Sequence, residues 1–173
     1  RTAPGLADYR NANGKLKRVA RPVTLQALLR DGHSRERYWA RSLGGWKRMG
    51  AARPSGAHRA LAALERAGRV EQLVTQNVDG LHGAAGSKRL IELHGNLMTS
   101  RCTVCDREPF EDRSAYRDGV APMCGRCKRA GKDSLLRPHI VWFGEAIPRD
   151  SLARIEAFVD AAGANLRFLA VGT

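Results

Sequence analysis

Two groups of residues in this chain have the types and spacing that chemistry needs. The first is Cys102, Cys105, Cys124 and Cys127, two Cys-x-x-Cys pairs with eighteen residues between them and no other cysteine in the chain. That is the spacing of a four-thiolate zinc site. Such a site is tetrahedral and closed, with no position for water or substrate, so one zinc ion is expected as a staple rather than a reagent. The second group is Thr75-Gln76-Asn77-Val78-Asp79-Gly80-Leu81-His82, followed by Glu92-Leu93-His94-Gly95. An amide pair and a carboxylate can hydrogen-bond ribose hydroxyls and a carboxamide. An imidazole that titrates near neutrality suits a general base. By residue type alone, the 75–82 group serves equally well to cap the next helix and satisfy local backbone.

A site made from residues 76–79 and 94 needs elements that carry both to one place. Residues 70–75 read as a short apolar strand ending at Gln76, and 90–93 as a second ending at His94-Gly95. A third is expected over 138–144 and a fourth, buried, over 166–171, which meets Gly172-Thr173. Helices are expected between them. One covers 35–49, with Tyr38, Trp39, Leu43 and Trp46 close together and Gly44-Gly45 as a weak point. Another opens at Pro54-Ser55-Gly56, repeats Ala57, Ala60, Leu61, Leu64 and Ala67 at helical steps, and stops at Gly68. A third covers 148–162, with Leu152, Ile155, Phe158 and Val159 on one face. Residues 1–33 read as loop with short helical pieces.

Continuously apolar strands alternating with amphipathic helices predict an α/β fold. Its sheet is parallel and Rossmann-like, incomplete here, with helices on both faces. In such sheets ligands bind beyond the carboxyl ends of the strands. Residues 1–95 and 138–173 are therefore assigned to this α/β domain, with a loop and helical insertion over 11–53. Residues 96–137 are assigned to a small zinc-binding module.

The bulk numbers agree with one such domain. The 173 residues are 43% hydrophobic, enough for a core, and only 6% aromatic. No run of apolar residues approaches membrane-spanning length, and no targeting segment is visible, so no membrane partner is expected. Paired cysteines of this kind favour zinc in a reducing compartment over disulfides. The net charge of +13 is spread along the chain without interleaved aromatics. It reads as an arginine-rich solvated surface, and nucleic acid is not expected as a partner.

Read in order, Thr75–His82, Ala85-Gly86-Ser87, Glu92–Gly95, the two cysteine pairs, Trp142-Phe143-Gly144-Glu145 and Val171-Gly172-Thr173 resemble the sirtuin family of NAD-dependent protein deacylases. Ala3-Pro4-Gly5-Leu6-Ala7-Asp8-Tyr9-Arg10 is similar to the loop after that family's first strand, with Ala7 where the family usually has proline. The resemblance implies an enzyme that moves the acyl group of an acyl-lysine protein or peptide onto the ADP-ribose part of NAD+, releasing nicotinamide. It implies His94 as general base. Asn77 and Asp79 would line the nicotinamide and ribose pocket, and Gln76 would reach the ribose. Asp8 and Arg10 would belong to the loop over NAD+, and Gly172 and Thr173 would lie at its adenosine half. Val141, Trp142, Phe143, Gly144 and Glu145 would form the edge that takes a substrate peptide by strand addition. His33, His58, His82 and His139 are not expected to be catalytic.

Within the family the context is closest to the class II, sirtuin-4-like branch. Mono-ADP-ribosyl transfer to protein and lipoamidase activity are the alternatives on the same residues. The rival from another class is a zinc-ribbon nucleic-acid module, which leaves the ordered motifs unexplained. Bacterial cytoplasm or mitochondrial matrix is the expected compartment. The chain also reads as an internal piece of a longer protein, and the piece by itself is expected to bind NAD+ poorly and to be inactive.

Overall fold

The computed structural model describes residues 23–111 and 122–171, with backbone only at 41 and 43–48. Asp31 ends one helix and starts the next. It closes α1 (Leu25–Arg30), and its carboxylate then accepts from the N–H groups of His33 and Ser34 at the start of α2 (Gly32–Ala51). Those are two of the N–H groups that a helix start leaves orphaned. α2 begins three residues before the expected helix and continues through Gly44-Gly45. The glycine pair lowers propensity, but the Asp31 cap and the burial of Trp39 outweigh it.

α3 (Gly56–Arg66) forms where the sequence places it. The N–H of Ser55 donates to Nδ1 of His58 at 3.2 Å, and Gly68 follows the helix end with φ +67°. His58 and Ala62 face inward. β1 (Leu73–Thr75) and β2 (Leu90–Glu92) then pair in parallel, in the register Leu73↔Leu90, Val74↔Ile91 and Thr75↔Glu92. A loop and α4 (Leu81–Ala84) connect them. Glu65 near the end of α3 fixes the entry to β2, because its carboxylate accepts from the N–H groups of Lys88 at 2.7 Å and Arg89 at 2.9 Å.

A second sheet is antiparallel. β3 (Gly95–Cys102) lies between β4 (Phe110–Glu111) and β5 (Leu136–Ile140), and α5 (Gly125–Arg129) precedes β5. The strand expected over 138–144 is therefore corrected in both span and partner. It starts two residues earlier, stops at Ile140, and pairs with β3 from Gly95↔Ile140 to Cys102↔Leu136. A turn over Trp142–Glu145 takes over where the ladder ends.

α6 (Arg149–Ala162) matches its expectation, but the strand expected over 166–171 does not form. Phe168 is 88% and Leu169 77% exposed. A strand exists only where a neighbour supplies the ladder, and β1 and β2 pair only with each other among the described residues. Two small cores hold the rest. Cys102, Cys124, Cys127 and Leu136 make one, with Phe110 against it. Val23, Leu28 and Trp142 make the other, with Tyr38 packed at a tilt against Trp142, 4.6 Å between ring centroids.

Candidate functional site

Parallel pairing brings the carboxyl ends of β1 and β2 side by side. The N–H of Leu93 donates to the carbonyl of Thr75 at 2.8 Å, which carries the ladder one step past the strands. Next along each chain come Gln76 and His94. Nδ1 of His94 lies 3.0 Å from the carbonyl oxygen of Gln76. A carbonyl can only accept, so Nδ1 carries the proton and Nε2 keeps its lone pair. The half-buried His94 is thereby held in one tautomer with a basic nitrogen free of this bond.

The polar loop after β1 is tied down by its own backbone. The hydroxyl of Thr75 accepts from the N–H of Asn77 at 3.1 Å, and the carbonyl of Val78 accepts from the N–H of Leu97 at 2.9 Å. Oδ1 of Asp79 accepts from the N–H of Leu81 at 2.9 Å, the capping role that residue type alone allowed. The capping reading and the ligand reading are compatible, since Oδ2 is not used in that bond. Gln76 and Asn77 stand exposed at the rim and Asp79 is half-buried. Asp8, Arg10, Gly172 and Thr173 lie outside the described residues.

Behind the loop, Nδ2 of Asn96 donates to both carboxylate oxygens of Glu92, at 2.9 and 3.0 Å. Oδ1 of Asn96 accepts from the N–H of Met98 at 2.8 Å. Burial pushes the Glu92 carboxyl above its ordinary range against the Asn96 bond, and nearby Asp79 adds to the rise. Burial also pushes the His82 imidazole down, with His58 acting in the same sense and Asp79 against it. The rings of His58 and His82 stand 4.5 Å apart.

Gly95 is where the two sheets meet. It has φ +76°, and an added Cβ would overlap the carbonyl oxygen of His139 and sit 3.2 Å from Cα of Ile140. Only glycine fits a left-handed backbone pressed against another strand. The N–H of Val141 donates to the carbonyl of His94 at 2.9 Å, so the 141–145 segment hangs directly from the histidine's own peptide. That segment is a turn, not a strand. The N–H of Glu145 donates to the carbonyl of Trp142 at 2.9 Å, and Gly144 has φ +80° as a type II turn requires at its third position. Trp142 is buried, whereas Phe143 is 55% exposed at the tip. Sequence reasoning missed Asn96, and also Arg137, whose guanidinium pairs with Glu145. Neither stands in a pattern with a chemical meaning of its own.

The four cysteines converge. Their sulfurs all lie within 4.8 Å of one another, with Cys102 to Cys127 at 3.7 Å and Cys105 to Cys124 at 3.9 Å. A tetrahedral zinc with Zn–S bonds of about 2.3 Å sets its sulfurs about 3.8 Å apart, so the donor set fits that ion. The N–H groups of Val104 and Cys105 each donate to Sγ of Cys102 at 3.3 Å. Burial raises the Cys102 thiol, but hydrogen bonds to the sulfur, these two N–H groups foremost, more than offset it and bring it to about 6. The cluster is thus positioned to bind one structural zinc ion.

The sequence model of the Sir2 family matches residues 1–173. A protein of Xanthomonas campestris named "NAD-dependent protein deacetylase" is 41% identical across 95% of this chain, which spans 64% of that relative's length. "NAD-dependent protein deacetylase 2" of Bradyrhizobium diazoefficiens is 40% identical, with 95% of this chain and 69% of the relative covered. Among solved structures, a mutant Sir2 homologue in complex with ADP-ribose superposes with a TM-score of 0.75 at 38% identity, covering 90% of this chain and 59% of its own. A structure described as Sir2 bound to acetylated peptide gives a TM-score of 0.64 at 33% identity, over 76% and 53% of the two chains. The fold is accordingly Rossmann-like α/β with a parallel sheet. The family match over every residue, with curated relatives near 40% identity, decides the matter: this chain belongs to the Sir2 family.

Proposed function

We propose that this chain carries the catalytic centre of an NAD-dependent protein-lysine deacylase, with His94 as its general base. The single observation that carries this reading is the bond from Nδ1 of His94 to the carbonyl of Gln76, which leaves the Nε2 lone pair as the acceptor for a proton. Bound NAD+ would supply the ribose carbon that the acyl carbonyl oxygen attacks as nicotinamide leaves, and a ribose hydroxyl that gives its proton to His94 and takes the acyl group as lysine leaves. Asn77 and Asp79, held by Thr75 and Leu81, are assigned to the nicotinamide and ribose side, and Gln76 to the ribose. Asp8, Arg10, Gly172 and Thr173 are assigned to NAD+ on the family resemblance. Two supports come from relatives: the curated proteins named deacetylases, and the solved structures with ADP-ribose and with acetylated peptide.

The substrate is an acyl-lysine protein or peptide, taken at Val141–Glu145. Three N–H groups of that segment already have partners: Val141 with His94, Trp142 with the Glu145 side chain, and Glu145 with Trp142. Main-chain pairing with a peptide would therefore fall to the N–H groups of Phe143 and Gly144 at the exposed tip of the turn. The zinc module over 96–137 would act by holding β3 and β5, the nucleotide-binding part being 1–95 with 138–173. Thiolate ligands call for a reducing compartment, such as bacterial cytoplasm or mitochondrial matrix. Among the described residues no helix is long and apolar enough to cross a membrane. The class II, sirtuin-4-like branch is the finer placement, resting on the sequence around α2. The test is acetyl-lysine-peptide-dependent release of nicotinamide from NAD+ by the protein at its full natural length. Absence of release would overturn the reading.

A further inference from the structure

Arg137 is a charged residue inside the fold, with a side chain only 6% exposed. Burying an arginine is costly unless every part of its head is occupied. Here it is occupied by one short stretch of chain. Nη2 donates to Oε1 of Glu145, and Nη1 donates to Oε2 of Glu145 at 3.2 Å and to the carbonyl of Ile140 at 3.0 Å. The fork on a carboxylate fixes orientation as well as distance. Glu145, itself 18% exposed in its side chain, spends the same Oε2 on the N–H of Trp142 at 3.0 Å. Its main chain closes the turn through the carbonyl of Trp142. The carboxylate therefore has both oxygens engaged, Oε1 by Arg137 and Oε2 by both Arg137 and the turn's own Trp142 N–H.

Arg137 is also tied to the metal end. Its neighbour Leu136 is paired with Cys102 and buried among Cys102, Cys124 and Cys127. On the other side, Val141 hangs from the carbonyl of His94. We propose that Arg137 is a positioning residue. Through Glu145 it locks the Trp142–Glu145 turn, so that Phe143 and the adjacent N–H groups are held at a fixed distance from His94 for the acyl-peptide. Glu145 thus serves the peptide site through the turn, without touching peptide itself. The kinetic consequence rests on the deacylase reading; the structural one does not.

The test uses Glu145→Gln and Arg137→Met in the protein at its full natural length. Gln keeps the shape and loses the charge pairing, and Met keeps the length and loses the fork. The first measurement is amide hydrogen exchange. Protection at Trp142 and Glu145 is expected to fall at least roughly tenfold in either variant, while the β3–β5 amides keep theirs. Unchanged protection at those two amides overturns the proposal, whatever the activity. A loss across β3 and β5 together also overturns it, since the pair would then be a general support. The second measurement is steady-state kinetics. The KM for acetyl-lysine peptide is expected to rise roughly tenfold, with kcat and the KM for NAD+ within about threefold. A folded variant with unchanged peptide KM overturns the proposal. If the unaltered protein releases no nicotinamide, the deacylase reading fails, and the exchange result still decides whether Arg137 locks the turn.

Discussion

Nδ1 of His94 stands 3.0 Å from the carbonyl oxygen of Gln76, a bond that joins the ends of two parallel strands. It fixes the tautomer of the ring and makes Nε2 the only nitrogen that can accept. The histidine is thus oriented by backbone, which no surface rearrangement of side chains can undo. Its replacement should be felt in the chemistry and not in the fold.

His94→Ala is therefore expected to lower kcat by about 10²- to 10⁴-fold, the range for a lost general base. NAD+ affinity and thermal stability should remain close to those of the unaltered protein. Nicotinamide release with acetyl-lysine peptide, beside a calorimetric NAD+ titration, checks both halves. A variant with undiminished turnover would remove His94 from the role of base.

Gly95 and Gly68 both have positive φ, at +76° and +67°, but they differ in surroundings. A Cβ at Gly95 would run into the His139 carbonyl, whereas at Gly68 nothing lies within 4 Å. Gly68→Ala should cost about 1–2 kcal/mol, the strain of a left-handed residue alone. Gly95→Ala adds a backbone overlap between β3 and β5, and is expected to lose more than about 3 kcal/mol. Urea denaturation of the two variants checks the ordering, and equal losses would show that the two strands can part cheaply.

Zinc is expected at one ion per chain. Binding to structural thiolate sites is worth about 10–16 kcal/mol, against a typical domain stability of about 5–15 kcal/mol. Cys102, Cys124 and Cys127 also supply most of the core that buries Leu136. Chelation, or Cys124→Ser, should therefore melt the β3–β5 pairing and abolish activity without the metal touching substrate. Metal analysis and hydrogen exchange give the readout; a metal-free protein with intact β3–β5 protection would refute it.

The local signals in the sequence are the ones with short range. The Gln76–Asp79 loop, the His94-Gly95 step and the paired cysteines each announce themselves within a few residues, and the structure brings Gln76 and His94 together at one edge. Helix α3 is legible for the same reason, with its Ser55 start and Gly68 stop. What sequence could not show is partnership over distance. The stretch at 138–144 reads as a strand of the parallel sheet, but the strand that forms is Leu136–Ile140, its partner is β3 and its direction is antiparallel. The run at 166–171 has the composition of a buried strand, and among the described residues it finds no ladder at all. Arg137 with Glu145 is likewise invisible, because eight residues of chain must fold into a turn before the two meet.

His82 sets the expected pH response. Burial lowers its pKa below the ordinary value of about 6.5, with His58 adding to the effect and Asp79 opposing it. His139 is lowered in the same way by burial, Arg101 and Arg137, against Glu145 and Glu108. In the window between the lowered folded value and about 6.5 the unfolded chain binds more protons, so stability rises with pH across that window and is lost as pH falls through it. Glu92 has the opposite sign. Its carboxyl is raised in the fold, so its contribution declines as pH climbs above the ordinary carboxylate value of about 4.3. The two trends separate by substitution. His82→Gln should flatten the acid side of a urea-midpoint profile below about pH 6.5, and Glu92→Gln should steepen the net rise with pH by removing the opposing effect. A profile from His82→Gln that still falls as steeply on acidification would assign the acid sensitivity to His139 or to other groups.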